Sequence, residues 1–410
     1  MILALACVAT VPDGGPAASA SDGAEDAEVA PGGAGVESED VPVDPTAFVF
    51  ADTGILDLAI ELDEGSLRAL AEDPKSYVTG TVRFGGQTYS PVGVALKGSS
   101  TYQWITGKPA WKIRFDEFDE GLRFHGLKRL TLNSNYWDGA QMAETLAYRT
   151  FREADVPAPR TGYATVSLNG DADGLYTIVE AMDDDFMDRN WPGSNGGIYE
   201  MQRTCDVNLD CSCYELQDSG PEFDPDGITR ACAAAATGNE SEIRAHWDWK
   251  RLTTFIAVEY VVNHPDSYSF NLNNYFLYHD PETDFASISP WGADSTFSYA
   301  YPPDADQACE PGLFDDFGSF PRGYLATWCR ANEACWADVS AAMLDVADQL
   351  EANDLAGRVT TTHDRIAAAV EAETRWPWGM DTFEGQVACF QTWITDRPER
   401  VRAFVAAQAY

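Results

Sequence analysis

The chain has 410 residues, of which 66 are acidic and 27 are basic, so its formal net charge is −39. A charge of this sign disfavours binding to nucleic acid or to anionic lipid, because both rely on clustered Lys and Arg. The chain is also 45% hydrophobic and contains 12 Trp, which excludes full disorder and allows a large folded core.

The first 47 residues have the composition of an export segment followed by a tether. Residues 1–10 are apolar but too short to cross a bilayer, which takes roughly 20 apolar residues. The stretch LALAC, ending at Cys7, is similar to a bacterial lipobox and predicts export with a lipid anchor at Cys7. A meaningless apolar start is the alternative. Residues 11–47 are acidic and rich in Ala, Gly, Pro and Ser, which predicts a disordered linker.

From residue 48 to residue 410 the pattern is that of a folded domain. Predicted strands cover 55–62, 77–84, 88–96, 111–115, 129–132, 160–168 and 175–179, with hairpin turns at Gly85-Gly86 and Asn169-Gly170. Predicted helices cover 64–71, 140–154, 247–262, 337–351, 356–373 and 383–407, and a later hairpin covers 273–279 and 285–289. Strands come first and helices last, which predicts an α+β fold with a strand-rich N-terminal part and a helical C-terminal part.

Eight cysteines follow Cys7, and most of them fall in two clusters. Four lie in a Cys-rich insertion at about residues 203–240, and three lie within 309–335. An even number of Cys in an exported chain predicts disulfides, with local bridges within 205–232 and within 309–335. Zinc is the weaker interpretation, because the spacing in CDVNLDCSC lacks the paired Cys-x-x-Cys of structural zinc sites.

A glycine- and hydroxyl-rich turn follows the second strand of the first hairpin. It contains Lys97, Gly98, Ser99 and Ser100, and Lys108 and Lys112 come after it. Backbone N–H groups and hydroxyls of such a turn can bind phosphate oxygens, and a nearby Lys can add a point charge. A polar hairpin with exposed lysines is the alternative.

Three acids further along the chain are candidates for a catalytic or metal site. Glu180 ends an apolar strand and needs a cationic partner if it is buried, for which Lys112 or Lys97 is available. Asp266 is followed by Asn271 and Asn274, and Asp294 comes after one more hairpin. This order of Asp, Asn and Asp is the one that protein kinases use to orient a hydroxyl and hold Mg²⁺. The alternative is that these are turn residues.

Taken together, these segments resemble the CotH kinase-like family, named for spore coat protein H. The resemblance covers roughly residues 55–300. The stretches that carry it are LKGSST, KPAWKIRF, LKRLTLNSNYWDGAQMAETLAYRTFREADVPAPR, GDADGLYTIVEAMDDDFM, GGIYE, NHPDSYSFNLNNYFLYHD and SPWGADSTF. The resemblance implies an atypical protein-kinase-like fold and an ATP- and Mg²⁺- or Mn²⁺-dependent kinase of secreted or surface proteins.

The resemblance also implies a role for individual residues. Asp266 would position the substrate hydroxyl, and Asn274, with Asn271 as a further candidate, would bind metal together with Asp294. Lys112 would contact the phosphates with Glu180 as its ion-pair partner, although Lys97 is an equal candidate for the phosphate lysine. The other residues expected to contact or lie near the phosphates are Gly98, Ser99, Ser100 and Lys108.

The chain departs from the family pattern at two positions. Lys97 stands where the family usually has Arg, and Gly292 replaces the first Asp of the family's Trp-Asp-x-Asp.

From the resemblance we expect an exported Ser/Thr protein kinase that acts on an envelope or surface protein. The first alternative is an inactive pseudokinase that serves as a surface protein-binding module, and a structural lipoprotein without a ligand is the second.

Overall fold

A closed barrel forms the first half of the fold. The structure is a computed structural model that describes residues 44–99, 101–193, 195–202, 204–209, 211–297, 303 and 321–408. Among these residues the barrel has seven strands, in the order β1-β2-β3-β4-β5-β7-β6. They are β1 Leu56–Glu61, β2 Val78–Phe84, β3 Gln87–Lys97, β4 Ala110–Arg114, β5 Arg129–Asn133, β6 Thr161–Leu168 and β7 Asp171–Val179.

The register of two adjacent barrel strands places two lysines on the same outer face. Lys97 of β3 lies opposite Ala110 of β4, and Ala95 lies opposite Lys112. Trp111 and Ile113 alternate with Lys112 on β4 and are buried in the barrel core. Side chains alternate between the two faces of a strand. Lys97 and Lys112 therefore point away from the barrel core.

A second sheet and a group of helices make up the other half. The sheet has the order β11-β10-β8-β9, with β8 Gly197–Met201, β9 Tyr214–Ser219, β10 Tyr275–Asp280 and β11 Phe285–Pro290. The helices are α1 Glu64–Glu72, α2 Ala143–Glu153, α3 Asp184–Asn190, α4 Gly227–Ala236, α5 Glu240–His246, α6 Trp249–Val261, α7 Tyr268–Asn271, α8 Tyr324–Ala331, α9 Glu333–Ala352, α10 Leu355–Glu371 and α11 Gly379–Ala407. The α+β fold with strands first and helices last is confirmed.

The long helices α9 and α11 pack with α6 around one apolar core. Arg397 of α11 is buried in this core and donates hydrogen bonds to the carbonyls of Tyr260, at 2.6 Å, and Val261, at 2.8 Å. These are among the last carbonyls of α6, which have no partner within the helix. Arg397 thus fixes the end of α6, from which the segment containing Asp266 starts.

The compact unit spans Asp44–Tyr410 and contains local disulfides. Cys205 bonds to Cys213 and Cys211 bonds to Cys232, which confirms local bridging within 205–232. Cys329 bonds to Cys335, which confirms a local bridge in the second cluster. The predicted anchor at Cys7, most of the predicted linker and Cys309 lie outside the described residues. In the described part of the chain, no helix is long and apolar enough to cross a membrane.

Candidate active site

The loop between α6 and β10 holds Asp266 by three asparagine side chains. Asn271 donates to Asp266 Oδ1 at 2.6 Å, while Asn273 and Asn274 donate to Oδ2 at 3.0 and 2.8 Å. Asn274 also donates to the Asp266 carbonyl at 2.9 Å. A carboxylate oxygen can accept two hydrogen bonds. Oδ1 therefore has an acceptor position left, and the three neutral asparagine side chains orient the carboxylate.

Asp294 follows β11 and faces three other carboxylates. Burial above all, together with the nearby Glu144, Asp138 and Asp266, raises its pKa to about 8 against the opposing effect of Lys97. These four acids come from four different segments of the chain. Carboxylates brought together in this way either hold protons or bind a cation.

Lys97 is connected to the same group of acids through the Asn133 side chain, an arrangement that we call the relay. Its ammonium group donates to Asn133 Oδ1, and Asn133 Nδ2 donates to Glu144 Oε2 at 2.5 Å. Tyr148 OH donates to the other Glu144 oxygen at 3.1 Å. Burial lowers the pKa of Lys97 to about 8, partly offset by Glu144, and burial raises the pKa of Glu144. A Lys on a barrel strand thus faces a Glu on the helix α2, as the phosphate lysine of protein kinases faces its helical Glu.

Asp294 and Asn274 both carry oxygen atoms of the kind that a divalent metal binds. The Asn274 amide nitrogen is committed to Asp266, which leaves its oxygen directed toward Gly292. Carboxylate and amide oxygens are the ligands that Mg²⁺ prefers. Asn271 is less suitable, because its oxygen accepts a hydrogen bond from Arg322 at 3.0 Å. A cation between Asp294 and Asn274 would also relieve the repulsion that raises the pKa of Asp294.

Gly292 is adapted to its neighbour in the site. Its φ of +51° is favourable for glycine, and an added β-carbon would lie 2.7 Å from Asn274 Oδ1. An Asp at this position, as in the family pattern, would displace the Asn274 side chain and would have to adopt a left-handed backbone conformation. The carboxylate supply of the site therefore comes from Asp294, Asp138 and Glu144.

The predicted ion pair between Lys112 and Glu180 is wrong. Glu180 binds Arg160 at 2.7 Å and Arg189 at 2.6 Å. Lys112 is exposed on β4, where it lies near Lys97 and Glu200. Because Glu180 already has two guanidinium partners, it has no unpaired charge left for a lysine.

The lysine at 108 lies outside the cleft, contrary to the expectation that it contacts phosphates. Lys108 is fully buried and forms an ion pair with Glu373. Gly98, with φ +109°, and Ser99 do lie beside Lys97 at the start of the loop. Ser100 lies outside the described residues. Of the cations predicted near the phosphates, Lys97 and Lys112 remain on the cleft side of the barrel.

Sequence reasoning missed Glu144, Asn133 and Asn273 as functional residues. Glu144 is 2% exposed on a helix that was recognised as amphipathic. An acid on the buried face of such a helix is the signal that could have identified it. Asn133 and Asn273 lie within the recognised motifs, but nothing in their spacing distinguishes them from turn residues.

A separate acidic group follows β7. In the described part of the chain, Asp183, Asp184 and Asp185 form the group of possible metal ligands whose ligand atoms lie close enough together for one metal ion. Possible ligands in this sense are His, Cys, Asp and Glu side chains. Lys128 forms an ion pair with Asp184, and Arg129 lies 3.9 Å from Asp183. These cations neutralise part of the group, which is distinct from the cleft around Asp294.

The chain is similar to several known proteins. The inner spore coat protein H of Bacillus subtilis is 23% identical over 189 residues, which cover 42% of this chain and 51% of that protein. The chain thus matches about half the length of this relative. Two solved structures are similar at 11% identity. The proinflammatory kinase CtkA of Helicobacter pylori has a TM-score of 0.34 (70% of this chain, 94% of that chain). HipA from a toxin–antitoxin complex with HipB and operator DNA of Shewanella oneidensis has a TM-score of 0.36 (85% and 73%).

The strongest of these findings is a family model. The model described as CotH kinase protein matches residues 94–401, which is well over half of the chain and includes Lys97, Glu144, Asp266, Asn274 and Asp294. A protein of this family is kinase-like, and the family in general implies the use of ATP and a divalent metal. The chain belongs to the CotH kinase family.

Proposed function

We propose that the protein is an exported protein kinase that transfers the γ-phosphoryl group of ATP to Ser or Thr hydroxyls of an envelope or surface protein, with Mg²⁺ or Mn²⁺ bound. The observation that carries this proposal is the cleft itself. Lys97, Glu144, Asp266 and Asp294 come from β3, α2 and two later loops, and they interact electrostatically at one place. Lys97 is the cation, and the acids supply the metal ligands and the group that orients the hydroxyl.

In this mechanism Lys97 contacts phosphate oxygens, and the Glu144–Asn133 relay holds its side chain in place. Asp266 accepts a hydrogen bond from the substrate hydroxyl. The hydroxyl oxygen forms a new bond to the γ-phosphorus while the bond from that phosphorus to the β–γ bridging oxygen breaks, and the hydroxyl proton passes to Asp266 or to water. A divalent metal held by Asp294 and Asn274 would neutralise charge on the phosphates. Catalysis then rests on positioning and electrostatics.

The disulfides support the part of the proposal that concerns export. Disulfides persist in oxidising compartments and are rare in the cytosol. The local bridges Cys205–Cys213, Cys211–Cys232 and Cys329–Cys335 are consistent with an exported protein. The acceptor would then be another protein of the envelope or surface, and an anchor at Cys7 would keep the enzyme at the membrane.

A pseudokinase that binds a partner protein is the second candidate, because Gly292 replaces an acid of the family pattern. In this structure no side chain fits at residue 292 without displacing Asn274. If Asp294 and Asn274 do not bind metal without the missing acid, the cleft is left without its main counter-charge. The fold would then serve only to present surface loops to a partner.

Phosphoryl transfer to a Ser-rich acceptor protein tests the proposal. The purified chain is incubated with labelled ATP and either Mg²⁺ or Mn²⁺, alongside Asp266→Asn and Asp294→Asn variants. We expect metal-dependent label transfer that falls about 10²- to 10³-fold or more in each variant, because each removes charge from the reacting centre. Asp338→Asn is the matched control, because it makes the same change at an exposed acid of α9. The kinase is refuted if the wild type shows neither label transfer nor metal-dependent nucleotide binding. Binding of a partner protein without nucleotide would favour the pseudokinase.

A further inference from the structure

The linker between α10 and α11 crosses from the helical half of the molecule to the barrel. We define residues 373–378, which lie between the end of α10 at Glu371 and the start of α11 at Gly379, as the C-terminal strap. The strap contacts two segments that lead directly to the cleft. One is the loop from Gly98 to Lys108, which begins beside Lys97, and the other is the segment from Ser134 to Met142, which ends just before Glu144 in α2.

The contact with the first segment is a group of two ion pairs, in which three of the four side chains are fully buried. Glu373 pairs with Lys108, and both side chains are fully buried. Beside them Arg375 pairs with Asp173, which is also buried and accepts hydrogen bonds from Trp111 at 2.9 Å and from Tyr176. The two cations and two acids balance one another. Removing one member would leave a buried charge without a partner, which is strongly destabilising.

Backbone contacts extend the strap along both segments. Arg375 donates to the Ile105 carbonyl at 3.4 Å in the first loop. In the second segment Trp376 donates to the Asn135 carbonyl at 3.1 Å, and Trp378 donates to the Tyr136 carbonyl at 2.7 Å. These carbonyls belong to irregular loops that no strand or helix ladder would otherwise hold.

One side chain of the strap contacts both segments at the same time. Glu373 pairs with Lys108 through one oxygen, and its other oxygen lies 3.5 Å from the Gln141 amide nitrogen. Gln141 has φ +53° and is completely buried. Gly174 leaves room for this carboxylate, because a β-carbon there would lie 2.3 Å from Glu373 Oε1.

We propose that the C-terminal strap holds the loop from Gly98 to Lys108 and the start of α2 in fixed positions relative to each other, with Glu373 as the positioning residue. The distance between Lys97 and Glu144 is then set from the far end of the chain. This proposal builds on the proposed kinase function, since it explains how the cleft keeps its shape. Lys108 is then a structural joint, meaning that it anchors the loop to the strap. Lys97 is the lysine that contacts the phosphates.

Hydrogen exchange of the full chain tests the strap without relying on kinase activity. In Glu373→Gln we expect amides of residues 101–108 to exchange at least about tenfold faster, because the loop loses its buried anchor. Glu180→Gln is the matched control, since it also removes a buried carboxylate paired with cations. It should lower overall stability without selective exchange in residues 101–108. A folded Glu373→Gln protein whose loop exchanges as in the wild type would overturn the proposal.

A milder variant keeps the test decisive if Glu373→Gln does not fold. Trp378→Phe removes one hydrogen bond to Tyr136 and should speed exchange selectively in residues 134–141, whereas unchanged exchange there would refute the strap. Titration with ATP and Mn²⁺ adds a functional readout, in which Glu373→Gln should weaken binding about tenfold through misplacement of Lys97. If the wild type binds no nucleotide, the proposed function fails, and the exchange data still decide the role of the strap.

Discussion

The two ends of one loop carry lysines in opposite environments. Lys97, at the start, is half-buried and meets Glu144 only through Asn133. Lys108, at the end, is fully buried and pairs directly with Glu373. A direct buried pair satisfies its own charge and stabilises the fold, whereas a relayed lysine keeps donors available for an incoming anion. In an acidic chain with few cations, this difference separates a lysine that can serve function from one that serves structure.

The largest expected effect comes from removing the lysine at the cleft. Lys97→Met should reduce phosphoryl transfer about 10²- to 10³-fold, because a preorganised cation at the phosphates is lost. Its effect on unfolding should be smaller than that of Lys108→Met, since Lys97 meets Glu144 only through Asn133 and does not pair with it directly. Steady-state kinetics and thermal unfolding of both variants check this. If Lys97→Met and Lys108→Met lose the same amount of stability, the two lysines do not differ in their structural role.

Removing the lysine at the other end should act on stability first. Lys108→Met leaves the Glu373 carboxylate buried without its cation, which costs roughly 3–5 kcal/mol of unfolding free energy. Denaturant unfolding measures the loss. The double variant Lys108→Met with Glu373→Met is the control, and it should recover part of that stability because no charge is left unpaired. A Lys108→Met protein as stable as the wild type would show that the pair is not a structural joint.

A buried acid that is not paired with a cation extends the comparison with Glu144 and Glu373. Glu259 of α6 is completely buried below the Asp266 loop and accepts a hydrogen bond from the Ser269 amide at 3.1 Å. Burial raises its pKa to about 8 from an ordinary value of 4.5, so the folded protein holds a proton there that the unfolded chain releases.

This proton links stability to pH. The contribution of Glu259 is fully present below pH 4.5 and is lost as the pH rises toward 8, by roughly 1 kcal/mol per pH unit. Glu259→Gln, which keeps the hydrogen-bonding shape without the titration, should therefore gain stability relative to the wild type as the pH rises from 5 to 8. Unfolding curves at several pH values measure this gain. A constant difference between the two proteins across that range would contradict a protonated Glu259.

The smallest effect is expected at the exposed lysine of β4. Lys112 shares the outer barrel face with Lys97 but lacks a buried partner. Lys112→Met should change transfer by less than about threefold and leave stability nearly unchanged, since exposed charges contribute little. Kinetics at low and high salt check this. A loss as large as that of Lys97→Met would reassign the phosphate lysine to residue 112.

The barrel strands and long helices could be predicted because their signals are local. Alternation around Trp111 and the glycine turn at Gly85-Gly86 define β4 and the first hairpin without knowledge of the rest. Asp266, Asn274 and Asp294 were found because they lie close together in sequence around one hairpin. The partners of the lysines could not be predicted in this way. Glu144 and Glu373 reach Lys97 and Lys108 only through the packing of α2 and of the strap against the barrel, which no sequence spacing records.

Metal-dependent nucleotide binding tests the central claim most directly. Calorimetric titration of the full chain with ATP, with and without Mn²⁺, is compared with the same titration of Asp294→Asn. The cleft geometry predicts that the wild type binds ATP with Mn²⁺ and binds it much more weakly without. Asp294→Asn should lower the affinity measured with Mn²⁺ at least about tenfold, because its carboxylate is the proposed metal ligand. ATP binding that is absent, indifferent to metal, or unaffected by Asp294→Asn would contradict the account.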